Sequence, residues 1–243
     1  MNKIPRIIHQ IWWQGMDKLP EKYKRFKESW INHHPDWKIM YWDKNKIYDL
    51  IKFNYPTLKK IIDNYPYMIQ KIDMAKYLIL YHYGGFYVDM DTICHKSFKN
   101  LYLIKEFKNY DLVCSQMEII PYLKIVNNGI IFSKPRHPIL LLLLNKLKNY
   151  QNKEFYQNHD LYIMQSTGPI FFHQMIDEFK TNTVLILPET FFESCSLSDY
   201  QTCTKKGEYM THHHTLSWTS GLFKGCVKIL NKIEKIRLSL IKE

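Results

Sequence analysis

Glycine and acidic residues are both scarce in this chain of 243 residues, which holds 8 Gly and only 23 Asp plus Glu against 34 Lys plus Arg. With so little glycine, only 10 Pro and no lasting heptad, the chain is not collagen-like, mucin-like or a coiled coil. No Gly/Ser linker, low-complexity tract or internal repeat divides it, which points to one folded unit. Cys94, Cys114, Cys195, Cys203 and Cys226 are odd in number and far apart, with no C-x-x-C pair. That excludes a disulfide framework and predicts free thiols in a reducing compartment. The longest apolar run, residues 139–144, is far short of the ~20 residues that cross a bilayer. No apolar stretch of the signal-peptide kind precedes His9 and Gln10, so no secretory leader is expected and the expected location is cytoplasmic.

What is abundant is aromatic and basic. Aromatics make up 15% of the chain and hydrophobic residues 46%, ample for a packed core and incompatible with disorder. The length suits a single large domain, since domains run to ~100–200 residues and α/β folds reach ~250. The formal net charge of +11 predicts an anionic partner: nucleic acid, an anionic membrane surface or a phosphorylated small molecule.

Periodicity predicts strands over residues 4–12, 37–42, 86–88, 111–115, 129–133 and 183–187. It predicts helices over residues 19–33, 46–53, 57–64, 68–83, 138–150 and 168–179, several bounded by proline. In the first of these, Tyr23, Phe26 and Trp30 share one side and Lys22, Lys24 and Lys27 the other. Strands alternating with helices indicate an α/β sandwich with a parallel or mixed central sheet.

The segment from Asp73 to Asp91 carries the chemistry. A helix holding Asp73 and Lys76 stops at Gly84-Gly85, and the strand Phe86-Tyr87-Val88 runs into Asp89-Met90-Asp91. Two carboxylates one residue apart at a strand exit project to one side and can share a hard divalent cation, Mg²⁺ or Mn²⁺, whose remaining positions suit a diphosphate. Asp73 and Lys76, three apart, share a helix face and can offer a hydroxyl acceptor beside a phosphate-pairing cation. Each piece has a plainer reading: a solvated strand end, a surface ion pair, a turn. Only their joint order favours a site.

In that order the chain resembles glycosyltransferase family 32, which includes yeast-type initiating α-1,6-mannosyltransferases and bacterial capsule transferases, and more distantly the glucosylating clostridial toxins. The resemblance rests on the block from Ile4 through His9-Gln10 to Trp12, on Asp73 to Asp91, on Asn128-Gly129 with His137-Pro138, on Thr167-Gly168-Pro169, and on His212-His213 with Ser217-Trp218. It implies a GT-A fold, Rossmann-like, in one domain with a mixed sheet and helices on both faces. It implies a nucleotide-sugar donor (a UDP- or GDP-sugar), Mn²⁺ or Mg²⁺, and transfer of a hexose or N-acetylhexosamine, with retention, to a hydroxyl of a glycan or lipid-linked saccharide.

By the same resemblance Trp12, or less directly Trp13, stacks on the base, and Asp73 approaches ribose or sugar hydroxyls. Lys76, usually Arg in the family, meets the diphosphate; Gly85, Tyr87 and Asn128 lie on the donor side. Asp91 binds the metal, while Asp89 contacts the sugar, the ribose or a metal-bound water. His212, favoured over His213 and His214, completes the metal shell, and Ser217 and Trp218 close over the phosphates. The plainer alternatives stay open: an exposed His turn, Trp218 as a buried anchor, Asn128-Gly129 as a hairpin turn, and Thr167 as a helix cap.

The catalytic domain is assigned to residues 1–221. Residues 222–243 are expected to form a basic amphipathic helix, packed on the domain or lying on an anionic membrane. Two competing functions are a metal-dependent phosphohydrolase or nucleotidyltransferase using Asp89 and Asp91, and a nucleic-acid-binding module. The second is disfavoured, because the aromatics of the basic stretch 22–26 fall on the buried side of its helix.

Overall fold

The sheet grows from a strand that is buried on both sides, its polar His9 and Gln10 included. Ile7–Ile11 (β1) is flanked in parallel by Lys38–Trp42 (β2) and Gly85–Val88 (β3), and a doubly buried strand of this kind belongs at a parallel centre. The computed structural model describes residues 4–103, 107–120, 123–156, 158–179, 181–192, 207–215 and 219. Ser217, Trp218, three of the cysteines and the segment 222–243 lie outside the described residues.

Glu21–His33 (α1) connects β1 to β2. Three helices then follow: Lys44–Asn54 (α2), Lys59–Asn64 (α3) and Met68–Tyr83 (α4), the last delivering the chain to β3. Thr92–Cys94 (β4) leaves the main sheet. Leu112–Ile120 (β5) and Leu123–Ser133 (β6) form a long antiparallel hairpin, with β6 antiparallel to β3. Pro138–Lys146 (α5), His159–Ser166 (α6) and Pro169–Phe179 (α7) precede Val184–Leu187 (β7), which joins β5 in parallel. Among the described residues the main sheet is mixed, in the order β2-β1-β3-β6-β5-β7, and Met210–His212 (β8) pairs with β4 in a second, two-stranded sheet.

Alternation in the central strands feeds two cores. Tyr87, Val126 and Ile131 point into a cluster with Leu50, Leu80, Leu143 and Phe172, so α2, α4, α5 and α7 cover that face. Phe86, Val88, Ile130 and Phe132 point into another with Trp30 of α1, Trp37 and Phe98. Gly84 caps α4 at φ 62, and a Cβ there would stand 2.6 Å from the Pro135 backbone nitrogen, so only glycine makes this sharp helix-to-strand exit. Cys94 and Cys114 are buried free thiols. No described helix is long and apolar enough to cross a membrane.

Sequence spacing finds the main elements but shortens the hairpin. The expected strands 111–115 and 129–133 are parts of β5 and β6, and Asn128-Gly129 lies within β6 rather than at a turn. The helix expected over 138–150 is α5 followed by a tighter 3₁₀ turn at Leu147–Tyr150. β4, β8 and α6 have no signal of their own: the first two are three residues long, and α6 has almost no amphipathic contrast.

Three histidines are built into the core as neutral rings. Trp42 Nε1 donates to His9 Nδ1 (3.1 Å), so His9 Nε2 carries the proton given to Gly84 O (2.8 Å). His34 Nε2 accepts the Phe98 N–H (2.9 Å), and His137 Nδ1 accepts that of Ile139 (3.3 Å). Burial depresses each of the three from 6.5 to about 4. The unfolded chain therefore binds more protons below pH ~6.5, and stability present above that value is lost as pH falls toward 4, by up to about 3 kcal/mol per ring. Urea midpoints are expected to be flat between pH 7 and 8 and to fall steadily from pH 6.5 to 4; an unchanged midpoint at pH 5 would contradict this.

Candidate active site

Because β1 and β3 run in parallel, their carboxyl ends open on the same edge of the sheet, and Trp12 and Asp89 emerge there together. β6 arrives from the opposite direction and places Asn127, Asn128 and Gly129 beside them. The Asp89 N–H continues the ladder to Gly129 O (3.0 Å). The small β4–β8 sheet sets Thr92 opposite His212, and the His213 N–H donates to Asp91 O (2.9 Å), so β8 is latched onto the Asp-x-Asp turn. The turn is braced by the Thr92 hydroxyl donating to Asp89 O (2.6 Å), while buried Trp30 donates to Thr92 (3.1 Å).

This wiring brings Asp89, Asp91 and His212 into one cluster whose ligand atoms lie within 4.8 Å of one another. His212 Nε2 stands 3.1 Å from Asp91 Oδ1 and 3.7 Å from Asp89 Oδ2. Thr215 donates to Asp91 Oδ2 through both N–H (2.8 Å) and hydroxyl (3.0 Å). Burial works against a charge on Asp91, but His212 and the Thr215 N–H outweigh it and hold the carboxyl well below the usual carboxylate range. A Cβ on Gly129 would stand 2.5 Å from Asp89 Oδ2 and 2.9 Å from His212 Cε1, so the missing side chain leaves the cluster its room. Two carboxylate oxygens and one imidazole nitrogen form a donor set that fits Mn²⁺ or Mg²⁺.

Behind the cluster lies a buried polar network. Lys76 is 2% exposed, its Nζ 3.0 Å from Asp73 Oδ1 and 3.5 Å from Asp89 Oδ1. Asp73 also accepts from Asn128 Nδ2 (3.0 Å) and the Thr167 hydroxyl (2.9 Å), and the Tyr87 hydroxyl donates to Asp89 Oδ1 (2.7 Å). Burial pushes the Asp73 carboxyl up against the pull of Lys76. The Lys76 ammonium, in spite of burial, is held above its ordinary value by Asp89 and Asp73.

Three of the residues expected on the donor side do not line the cavity. Asp73 and Lys76 are enclosed behind the cavity wall with their polar atoms already engaged, and neither lines the cavity. Gly85, at φ 100, is the close-approach point of β3 to β1, where a Cβ would meet Ile7 O at 2.6 Å. Trp12, Tyr87, Asp89, Asp91, Asn128 and His212 do line a cavity of about 600 Å³. Trp12 leans on Tyr23 at 5.2 Å and donates to Lys18 O (3.3 Å), while Trp13 lies against Tyr48.

Sequence reasoning missed Thr215 and the Thr167–Asp73 bond, and weighed His214 only as a less favoured alternative to His212. His214 adopts φ 41, a left-handed conformation uncommon outside glycine, and its ring lies 3.9 Å from that of His212. The three-His run was a visible signal for His214; nothing in sequence marked Thr215. Lys22 also lines the cavity, and its charge is exposed.

Residues 20–108 match the family described as the glycosyltransferase sugar-binding region containing a DXD motif, a span that includes Asp89 and Asp91. The chain is 28% identical over 226 residues to uncharacterized glycosyltransferase L373 of Acanthamoeba polyphaga mimivirus, covering 90% of this chain and 85% of that protein. It is 32% identical over 201 residues to mannosyl phosphorylinositol ceramide synthase SUR1 of Saccharomyces cerevisiae, covering 80% of this chain. The chain spans about half (49%) of the length of that yeast protein. The UDP-bound glycosyltransferase domain of the YGT toxin superposes with a TM-score of 0.54 at 9% identity, over 76% of this chain and 80% of that one. The fold is GT-A, and the family match with the curated relatives makes the chain a glycosyltransferase with a DXD-type sugar-binding region. Within that class the chain belongs with the DXD-containing, family 32-like glycosyltransferases.

Gly129→Ala tests the cluster directly. The added methyl is expected to displace Asp89 and His212 and weaken Mn²⁺ binding by ~10-fold or more, with the folded circular-dichroism spectrum retained. Electron paramagnetic resonance titration of free Mn²⁺ reads the change, and an unaltered affinity would show that the cluster tolerates the methyl.

Proposed function

We propose that the protein transfers a hexose from a nucleoside diphosphate sugar, UDP- or GDP-linked, to a hydroxyl of a glycan or lipid-linked saccharide, with retention and with a divalent cation. The carrying observation is the convergence of Asp89, Asp91 and His212 on the wall of a cavity that also presents Trp12. The volume of about 600 Å³ lies in the usual range for small-molecule sites. Asp89, Asp91 and His212 would hold Mn²⁺ or Mg²⁺, which when bound supplies positive charge to a departing diphosphate. Trp12 offers a face for the base. Lys22, exposed on the cavity wall, takes over from buried Lys76 the task of meeting a phosphate.

Asp89 and Asp91 are the acidic side chains on the described cavity wall, and both are committed to the cluster. That supports a same-face displacement over a covalent carboxylate intermediate. The bond from C1 to the diphosphate oxygen breaks, the acceptor oxygen bonds to C1 on the same face, and the acceptor proton passes to the leaving phosphate oxygen. The name of the yeast relative supports mannose as the sugar and a phosphoinositol lipid as the first acceptor to test. Ile69, Ile72, Met117 and Met164 give the cavity an apolar stretch compatible with such a lipid. Nucleic acid is not an expected partner, since Tyr23 and Phe26 in the basic stretch of α1 are buried.

A donor panel with Mn²⁺ and mass-spectrometric detection is expected to give a glycosylated acceptor from one nucleotide sugar. Chelation should abolish the product and added Mn²⁺ restore it, and Asp91→Asn should lower the rate by at least ~100-fold. Consumption of nucleoside triphosphate, or hydrolysis with no sugar transferred, would instead support the phosphohydrolase or nucleotidyltransferase.

A further inference from the structure

We infer that Lys76 and Tyr87 are positioning residues that turn the Asp89 carboxylate so that a single oxygen, Oδ2, faces the Asp91–His212 cluster. This rests on the cation-binding reading of that cluster and adds how the chain shapes it. The two oxygens of Asp89 have different surroundings. Oδ1 accepts the Tyr87 hydroxyl at 2.7 Å and lies 3.5 Å from the Lys76 ammonium. Oδ2 lies 3.7 Å from His212 Nε2, beside the space that Gly129 leaves open. Two donors on one oxygen select one rotation of a side chain that is otherwise 27% exposed and free to turn.

The anchor is itself rigid. Lys76 Nζ is tied to Asp73 at 3.0 Å and lies 4.9 Å over the Tyr87 ring, so it cannot follow Asp89 outward. Asp73 is in turn held by Thr167, at the end of α6, and by Asn128 of β6. Orientation therefore passes from α6 through α4 to the end of β3. Asp91 shows a comparable division, with Oδ1 toward His212 and Oδ2 taken by Thr215. Among the described residues the cluster thus presents one oxygen from each carboxylate and one imidazole nitrogen. A bound Mn²⁺ or Mg²⁺ would take further oxygen ligands, such as water or the phosphates of a donor.

Tyr87→Phe removes the hydroxyl without altering charge, and Asp73→Asn combined with Lys76→Met removes the buried pair while keeping its net charge at zero. Both are expected to weaken Mn²⁺ binding ~10-fold in electron paramagnetic resonance titrations, the usual scale for groups that orient a metal ligand. Lys60→Ala, exposed on α3 and not part of the cavity wall, should leave Mn²⁺ affinity unchanged. The melting temperature of each variant is measured beside the titration, and weakening in a variant that melts within a few degrees of wild type supports orientation over damage to the fold. Mn²⁺ affinities within twofold of wild type in both variants overturn the inference. A wild-type chain that binds no Mn²⁺ overturns the cation reading as well, whereas the sugar-transfer assay reports separately on the reaction.

Discussion

Burying the Lys76 ammonium removes several kcal/mol of hydration unless carboxylates stand in for water, and a lone buried charge would be tolerated poorly. Asp73 and Asp89 provide that compensation from two different elements, one a turn earlier on α4 and one at the tip of β3. The pairing therefore couples helix and strand at the point where the sheet opens. Asn128, Thr167, Tyr77 and Tyr87 complete the hydrogen bonding, so that the network is supplied with donors from α4, β3, β6 and the end of α6. A core at this position could be apolar and just as stable. The charged version instead gives the carboxylate edge of the sheet one geometry.

That edge is where an α/β sheet ordinarily receives its ligand, because strands running in parallel deliver their carboxyl ends to one crevice. β1 and β3 do so here, and the antiparallel β6 brings mid-strand residues to the same place. The result is a wall built from rigid backbone, with Gly129 as the gap and Trp12 as the aromatic face. The neutral histidines deeper in the fold serve packing. Their hydrogen bonds run to Trp42, Gly84 and Phe98 and do not reach the cavity.

Much of this is legible in residues alone. The glycine pair after α4 announces a stop, and the aromatic strand followed by two acids announces the crevice. The burial of Lys76 is not legible, because an Asp and a Lys three apart look the same on a solvated helix as in a core. What distinguishes them is the packing of β6 and α6 against α4, which only tertiary structure decides. Asn128-Gly129 misleads for a related reason: its turn chemistry is put to use inside a strand, where the Asn side chain bonds Asp73 and the absent Gly side chain makes room. His212 stands out by resemblance, while Thr215 acts through a backbone N–H, which every residue type except proline carries, and through a hydroxyl that no motif links to Asp91.

The β4–β8 pairing has a consequence for synthesis. Asp91 and His212 are separated by 121 positions, so the cluster closes a very long loop and forms through one of the most distant contacts in the fold. A ribosome-bound chain that already displays the complete Asp-x-Asp turn still lacks its imidazole ligand and the Thr215 clamp. The cluster therefore cannot be completed before β8 has emerged, whatever the rest of the chain has formed by then.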